Sequence, residues 1–344
     1  MNPYISDILS QPAVLRAAVE NFSVSSLAPI AVRIQKGEFD RLIITGMGAS
    51  YNAAYPAYIQ LSELPIPTLH INAAELVHYL SGLIEPRTLL WINSQSGRSA
   101  EILHLLERIK TAPSACLLTC VNDESSPLAS ASEICLPIHA GPETTVSTKT
   151  YTNTLAVNLL AANYLTGSDI EALKKMILAT ADAIETYLDD WQNHVSTLDT
   201  LLGEFETMIL IGRGASMAAV WNGALINKEA AKFPLEGMNA ADFRHGPLEL
   251  VSPGFVTLFF AGSSETLQYN RNLALDVLKH SGRVLWIDAK KDVKLPTILI
   301  PDAEEIVLPL VEILPTQFLT LVMAERKDIK AGEFKIVGKV TTVE

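Results

Sequence analysis

Three residues of this chain could do proton chemistry. Glu229 lies in KEAAKF (Lys228–Phe233), His245 in FRHGPLEL (Phe243–Leu250), and Lys339 in GKVTTVE (Gly338–Glu344). A carboxylate, an imidazole and an amine supply the parts needed to open a sugar ring and to move a proton between adjacent carbons. A carboxylate serves as a general base when burial beside its substrate raises its pKa towards the working pH. An imidazole already titrates near neutrality. Each residue also has an ordinary reading. Glu229 sits on the helical stretch WNGALINKEAAKF (Trp221–Phe233), where Lys232 at i+3 can pair with it. A lone histidine is more often a hydrogen-bonded structural residue, and a lysine near a terminus is usually solvated.

Three hydroxyl-rich loops could hold an anion. SQSGRSAE (Ser94–Glu101) follows the apolar run TLLWIN and opens a helical stretch, with Ser94, Ser96 and Ser99 clustered around Gly97. The free N–H groups and positive dipole end of a helix start suit a phosphate there. An ordinary serine cap would satisfy the same donors. GMGASYNAA (Gly46–Ala54) has the same strand–loop–helix form but lacks the Gly-x-Gly-x-x-Gly dinucleotide fingerprint. In ETTVSTKTYTN (Glu143–Asn153), Ser147 and Thr148 could complete a phosphate cradle, with Lys149 balancing charge. The alternative is a solvated turn leading into the helix TLAVNLLAANYL (Thr154–Leu165).

The elements that must position these residues come as a duplication. RLIITGMGAS (Arg41–Ser50) and TMILIGRGAS (Thr207–Ser216) share an apolar strand followed by Gly-x-Gly-Ala-Ser, 166 residues apart. NAAELVHY (Asn72–Tyr79) matches NAADFRHG (Asn239–Gly246) at an offset of 167. Such a period is far too long for a solenoid and indicates a duplicated domain. Strands are expected at LIIT (Leu42–Thr45), TLHI (Thr68–Ile71), TLLWIN (Thr88–Asn93), ACLLTC (Ala115–Cys120) and ICLPI (Ile134–Ile138) in the first copy. In the second they are expected at MILIG (Met208–Gly212), VTLFFA (Val256–Ala261), VLWID (Val284–Asp288) and TILIP (Thr297–Pro301). Apolar strands separated by helices predict an α/β fold, a parallel sheet covered by helices on both faces. Ligands of such sheets bind beyond the C-terminal strand ends. The stretch Ser168–Phe205 reads as a helical connector capped by Ser168 or Asp169, with Ile170, Leu173, Ile177, Ile184 and Leu188 at helical spacing.

Composition narrows the function classes. Of 344 residues, 49% are hydrophobic and 19% charged, which supports large cores and excludes a mainly disordered chain. A net charge of -12 argues against non-specific nucleic-acid binding, which requires basic residues on phosphates. It also means that a bound phosphate needs local hydroxyls, amides or a few cations. Cys116, Cys120 and Cys135 form no disulfide framework and read as reduced core thiols. No zinc spacing, signal peptide or membrane-length apolar run is visible, so a cytoplasmic protein that needs no metal is expected.

The strings Lys228–Val251 and Gly338–Glu344, with the three loops in order, resemble the sugar-isomerase (SIS) domains of glucosamine-6-phosphate synthases and of SIS-type deaminases. The resemblance runs through nearly the whole chain. It implies two tandem SIS domains at 31–167 and 204–329, an N-terminal helical segment at 1–30, a connector at 168–203, and a tail at 330–344 that enters the active site. It implies that Ser50, Ser94, Gln95, Ser96, Ser99, Thr145 and Ser147 line a phosphosugar site, with Ser94, Ser96 and Ser99 on the phosphate. Glu229 would then transfer the proton between C1 and C2, Lys339 would contact the open-chain sugar, and His245 would open the ring. In the resembled enzymes that histidine reaches the neighbouring subunit's site, so a homodimer is implied. His78, the repeat equivalent of His245, is expected to be structural. The sequence departs from the synthases at three places. Arg98 stands where they carry an acidic residue, and Ile226 replaces a lysine they use in the site. AGEFKIVG (Ala331–Gly338) replaces their Pro-Arg-Asn-Leu. No glutaminase region precedes the isomerase-like part, so glutamine-dependent synthesis is not expected. The leading expectation is a glucosamine-6-phosphate deaminase without a cofactor. The alternatives are an aldose–ketose isomerase or deglycase on another 6-phosphosugar, or a phosphosugar sensor that binds without turnover.

Overall fold

Residues 88–93 are buried along their whole length, as are 116–121 and 255–260. Strands with no exposed face must lie inside a sheet covered on both sides. The computed structural model, which describes residues 2–111, 116–336, 338–341 and 343, has two such sheets. The chain forms two compact units. The first comprises Ala13–Leu178 with Lys335–Glu344, and the second comprises Met1–Pro12 with Ala179–Phe334.

The first unit holds strands β1 (Arg41–Gly46), β2 (Thr68–Asn72), β3 (Thr88–Asn93), β4 (Cys116–Val121) and β5 (Ile134–Pro137). All pairings are parallel, in the order β2-β1-β3-β4-β5. The second unit repeats this order as β7-β6-β8-β9-β10. Its strands are β6 (Thr207–Gly212), β7 (Glu236–Asn239), β8 (Phe255–Phe260), β9 (Arg283–Asp288) and β10 (Thr297–Leu299). In this doubly wound order the connections leave β1 and β3, or β6 and β8, in opposite directions. Ligand sites form at that switch point, beyond the C-terminal strand ends.

Each sheet has its own apolar core. Ile43, Leu90, Ile92, Ile102 and Leu105 meet in the first unit. Ile211, Phe243, Phe255, Phe259 and Trp286 meet in the second. Each such side chain contributes about 1.5–3 kcal/mol by leaving water. Residues 2–12 complete the second unit. Gln11 and Gln317 exchange amide hydrogen bonds at 3.0 and 2.9 Å, and the Thr320 hydroxyl donates to Tyr4 Oη at 3.0 Å.

Sequence patterning and structure differ at β7 and at the helix after the third loop. β7, with sequence EGMN, carries no apolar run. It forms because Gly237 lets the strand approach the helix Met217–Ala231, where an added Cβ would lie 2.7 Å from the Val220 carbonyl oxygen. The helix following the third loop begins at Lys149 rather than near Thr154. The connector is two helices, Ile170–Leu188 and Trp191–Leu202, the first capped by Asp169 Oδ1 accepting from Ala172 N at 3.0 Å. β4 begins at Cys116, and Ala115 lies outside the described residues. All three cysteines are free thiols, and burial pushes those of Cys116 and Cys120 well up, which suppresses the reactive thiolate. Among the described residues no helix is long and apolar enough to cross a membrane.

The start of the first sheet is pH-sensitive. His70 on β2 stacks on Tyr51 with ring centroids 3.8 Å apart, and its Nε2 lies 3.0 Å from the Tyr51 carbonyl oxygen. Burial pushes the imidazole down to about 4, against the opposing pull of that hydrogen bond. The folded state therefore binds this proton less readily than the unfolded chain. The stability contributed by neutral His70 is complete above its ordinary value of 6.5 and is lost as pH falls towards 4. Denaturant titrations at pH 7 and pH 5 are expected to show a smaller acid-induced loss in His70→Phe than in the parent. Equal losses would exclude His70 as the source.

Candidate active site

In the first unit the site is built from loops after β1, β3 and β5. The β1 and β3 ends approach closely because residue 46 is glycine; an added Cβ there would lie 2.7 Å from the Asn93 carbonyl oxygen. Ser50 follows on the short helix Gly48–Ala53, half-buried, with its N–H on the Met47 carbonyl at 3.1 Å.

The loop after β3 is a self-bonded turn. Buried Ser94 accepts at Oγ from Gly97 N at 3.1 Å, and Ser96 Oγ accepts from Arg98 N at 3.2 Å. Gly97 has φ +59, and an added Cβ would lie 2.6 Å from Ser126 Cβ, so glycine is required on both grounds. The Gln95 carbonyl accepts from Asn122 N at 3.0 Å. Ser99 immediately precedes the helix Ala100–Thr111, and its carbonyl accepts from Leu103 N at 3.0 Å. These bonds hold Ser94, Ser96 and Ser99 on one short loop at a helix N-terminus, a geometry that suits an anion. Arg98 turns to Asp123 instead, with Nε and Nη2 each 3.1 Å from Oδ2, and both side chains exposed.

The third loop is organised by a residue that sequence reasoning did not single out. The Glu143 side chain is wholly buried. Its Oε1 accepts from Thr148 N and Thr148 Oγ1, both at 3.0 Å, and from Thr150 N at 3.1 Å. Its Oε2 accepts from Thr150 Oγ1 at 2.6 Å and from Lys339 Nζ. A buried carboxylate needs such compensation. By taking the first free N–H groups, Glu143 caps the helix from five residues upstream, which is why that helix starts at Lys149. Lys339 Nζ also donates to the Thr145 carbonyl at 2.7 Å, and Ser147 Oγ lies 2.7 Å from Thr150 Oγ1. Two residues beyond Lys339, the Thr341 carbonyl accepts from Ala100 N at 3.1 Å. The tail is thus bonded both to the third loop and to the helix that follows the serine loop. Thr145, Ser147 and Lys339 come together here, and the tail ties them to the turn holding Ser94, Gln95, Ser96 and Ser99. The available signal for Glu143 was an acidic residue directly before a run of threonines and serines.

Glu229 and His245 belong to the second unit. Glu229 is half-buried on the helix Met217–Ala231, one turn after the fully buried Ile226. Lys232 ends that helix in the left-handed conformation (φ 52), and its Nζ donates to the backbone carbonyls of Glu229 and Glu333. Lys228 pairs with Glu236 on β7 at 2.9 Å. β7 leads into the helix Ala240–Arg244, capped by Asn239 Oδ1 accepting from Ala241 N at 2.8 Å. Asn72 does the same for Ala74 N at 3.0 Å in the first unit, which gives the Asn-Ala-Ala echo its physical meaning. Phe243, in the core, anchors this segment, and His245 follows exposed at the helix end, next to Gly246 at φ +142. Among the described residues its ring has no hydrogen-bond partner. His78 is likewise exposed, with its ring 6.4 Å from that of His104. Among the described residues no cluster of three or more His, Cys, Asp or Glu side chains could hold a metal ion.

Comparison with known proteins agrees with this architecture. The chain is 27% identical over 350 residues to the glutamine–fructose-6-phosphate aminotransferase (isomerizing) of Pyrococcus horikoshii, covering 99% of this chain and 57% of that protein. It thus spans little more than half the length of such relatives. Among solved structures it resembles the C-terminal domain of the glucosamine-fructose-6-phosphate aminotransferase from Francisella tularensis, at TM-score 0.85 and 20% identity, covering 97% and 98% of the two chains. It also resembles the glucosamine-6-phosphate deaminase of Thermotoga maritima, at TM-score 0.76 and 20% identity, covering 98% and 99%. The SIS domain profile matches residues 38–164 and 202–324, each containing one of the two sheets. The chain belongs to the SIS domain family and carries that domain twice.

Proposed function

We propose that this SIS protein is a phosphosugar enzyme that converts glucosamine 6-phosphate to fructose 6-phosphate and ammonia. The observation that carries the reading is the tie between Lys339 and the loops of the first unit. Through Glu143, the Thr145 carbonyl and Thr341, an amine-bearing tail is held against the third loop and the helix that follows the serine loop, beyond the C-terminal strand ends.

On this reading Ser94, Ser96 and Ser99 take the phosphate with the N–H groups of the helix start other than that of Ala100, which the Thr341 carbonyl occupies, and Ser50, Gln95, Thr145 and Ser147 take sugar hydroxyls. His245, donated across a homodimer interface, protonates the ring oxygen and accepts the anomeric hydroxyl proton. The open aldehyde then lies beside Lys339. Glu229 removes the proton from C2 and, after rearrangement to the enolamine, delivers a proton to C1. The product is a C2 imine, which water hydrolyses to the ketone with release of ammonia. No redox change occurs, and atoms balance with one water consumed. Arg98 stays outside this scheme because Asp123 holds it.

Ile226 favours a second reading. A fully buried isoleucine replaces the lysine of the resembled synthases, so chemistry that needs a second amine has no group here. An aldose–ketose isomerisation of another 6-phosphosugar needs only the same proton shuttle.

Ammonia and fructose 6-phosphate are expected on incubation with glucosamine 6-phosphate. Glu229→Gln should lower kcat by about 10²–10⁴-fold with little change in phosphosugar affinity, and His245→Ala should abolish release from the closed ring. Binding without release in the parent would turn the assignment to the isomerase or sensor readings. The tail makes a separate prediction. Lys339→Met removes a charged donor from Glu143 and should cost about 2 kcal/mol of stability. Glu143→Gln should release the tail, seen as faster hydrogen exchange in the C-terminal peptide; unchanged protection would contradict the tie.

A further inference from the structure

The second unit repeats the topology of the first but fills its strand ends with different chemistry. A cavity of about 270 Å³ opens beyond the C-terminal ends of β8, β9 and β10, on the ligand-binding edge of the sheet but to one side of the β6/β8 switch point. The loop after β8 corresponds to the serine loop of the first unit. It contains Gly262 at φ +74, Ser263 and Ser264. Here, however, the anion position is already taken by the chain. The Glu305 carboxylate accepts from Ser264 N at 3.2 Å and from Ser264 Oγ at 3.0 Å. Asp288, Asp302 and Glu312 also line the cavity, and Lys290 is the cationic side chain among the lining residues. A phosphoester would meet like charge on most sides.

Glu312 points to what the cavity takes. Its side chain is 1% exposed, and Oε1 accepts from Ser216 Oγ at 2.8 Å. Oε2 is buried with no hydrogen-bond partner among the described residues. A buried, half-satisfied carboxyl is costly and points to a partner that completes it. Ser216 is the repeat counterpart of Ser50, and it has been turned inward to hold this group. Burial also pushes the Glu312 carboxyl up to about 8, against the Ser216 hydrogen bond, so an arriving ammonium must displace the carboxyl proton to solvent.

We propose that this cavity is a second small-molecule site, selective for a hydroxylated primary ammonium compound of monosaccharide size, such as an unphosphorylated hexosamine. The ammonium would sit against Glu312 Oε2 with Asp302 at the rim, since Asp288 already accepts from Trp286 Nε1 and Lys290 N, both at 3.1 Å, and the hydroxyls would reach Ser263 and the strand-end carbonyls. The volume lies just below the range of drug-sized pockets and fits one sugar ring. The proposal does not rest on the reaction assigned to the first unit.

The test is calorimetric titration of the full chain with glucosamine, with glucose as the uncharged control. Saturable glucosamine binding at least tenfold tighter than glucose is expected. Glu312→Gln should weaken it at least tenfold. Asp302→Lys, at an exposed rim position that leaves the core intact, should do the same, while Ser96→Ala in the first unit should leave it unchanged. The proposal is overturned by absence of saturable binding, by equal affinity for glucose, by Asp302→Lys titrations that superpose on the parent, or by loss of binding in Ser96→Ala.

Discussion

The buried charge of Glu143 is the constraint on which the first unit's site depends. A carboxylate with no exposed side-chain surface is tolerated only when its oxygens are surrounded by donors. Here they come from two backbone amides, two threonine hydroxyls and one lysine. Meeting that requirement sets several features together. It fixes the turn of the third loop, starts the helix Lys149–Leu165, and draws the C-terminal tail onto the loop. Because the Thr341 carbonyl meets Ala100 N, the tail in turn reaches the start of the helix after the serine loop. The Lys339 amine and a loop suited to a phosphate are therefore positioned by one network rather than by separate contacts.

The duplication sets two different groups of side chains on one fold. Both units keep the parallel order with its switch point, the asparagine-capped helix after the edge strand, and the glycines at close backbone approaches. They diverge at the strand ends. The first unit presents hydroxyls at a helix N-terminus, and its acidic residue is buried and compensated. The second unit puts its own Glu305 on the equivalent hydroxyls and leaves one Glu312 oxygen without a described partner. Conserved architecture with inverted charge is the mark of a sheet retained for its geometry and a loop set reassigned.

Much of the architecture was legible in the residues. Nine of the ten strands carry apolar runs, buried in all but the edge strands β2 and β10, and the Gly-x-Gly-Ala-Ser and Asn-Ala-Ala echoes locate equivalent turns. β7 was not legible because EGMN is held by a close approach that Gly237 permits, not by apolar content. The early start of the helix at Lys149 was hidden because its cap comes from Glu143 instead of the preceding residue. The position of Lys339 was implied only by resemblance, because its partner lies 196 residues away. Glu312 gave no signal at all: a glutamate in the first turn of an apolar helix reads as a dipole partner until Ser216 is seen beside it.

The central claim is that this chain moves a proton between C1 and C2 of a 6-phosphosugar. The most direct measurement is NMR of glucosamine 6-phosphate and of fructose 6-phosphate incubated with the protein in deuterated water. Deuterium should appear at C2 of the aldose or at C1 of the ketose, and Glu229→Gln should prevent it. Both sugars remaining unconverted and undeuterated with the protein folded and binding them would contradict the account.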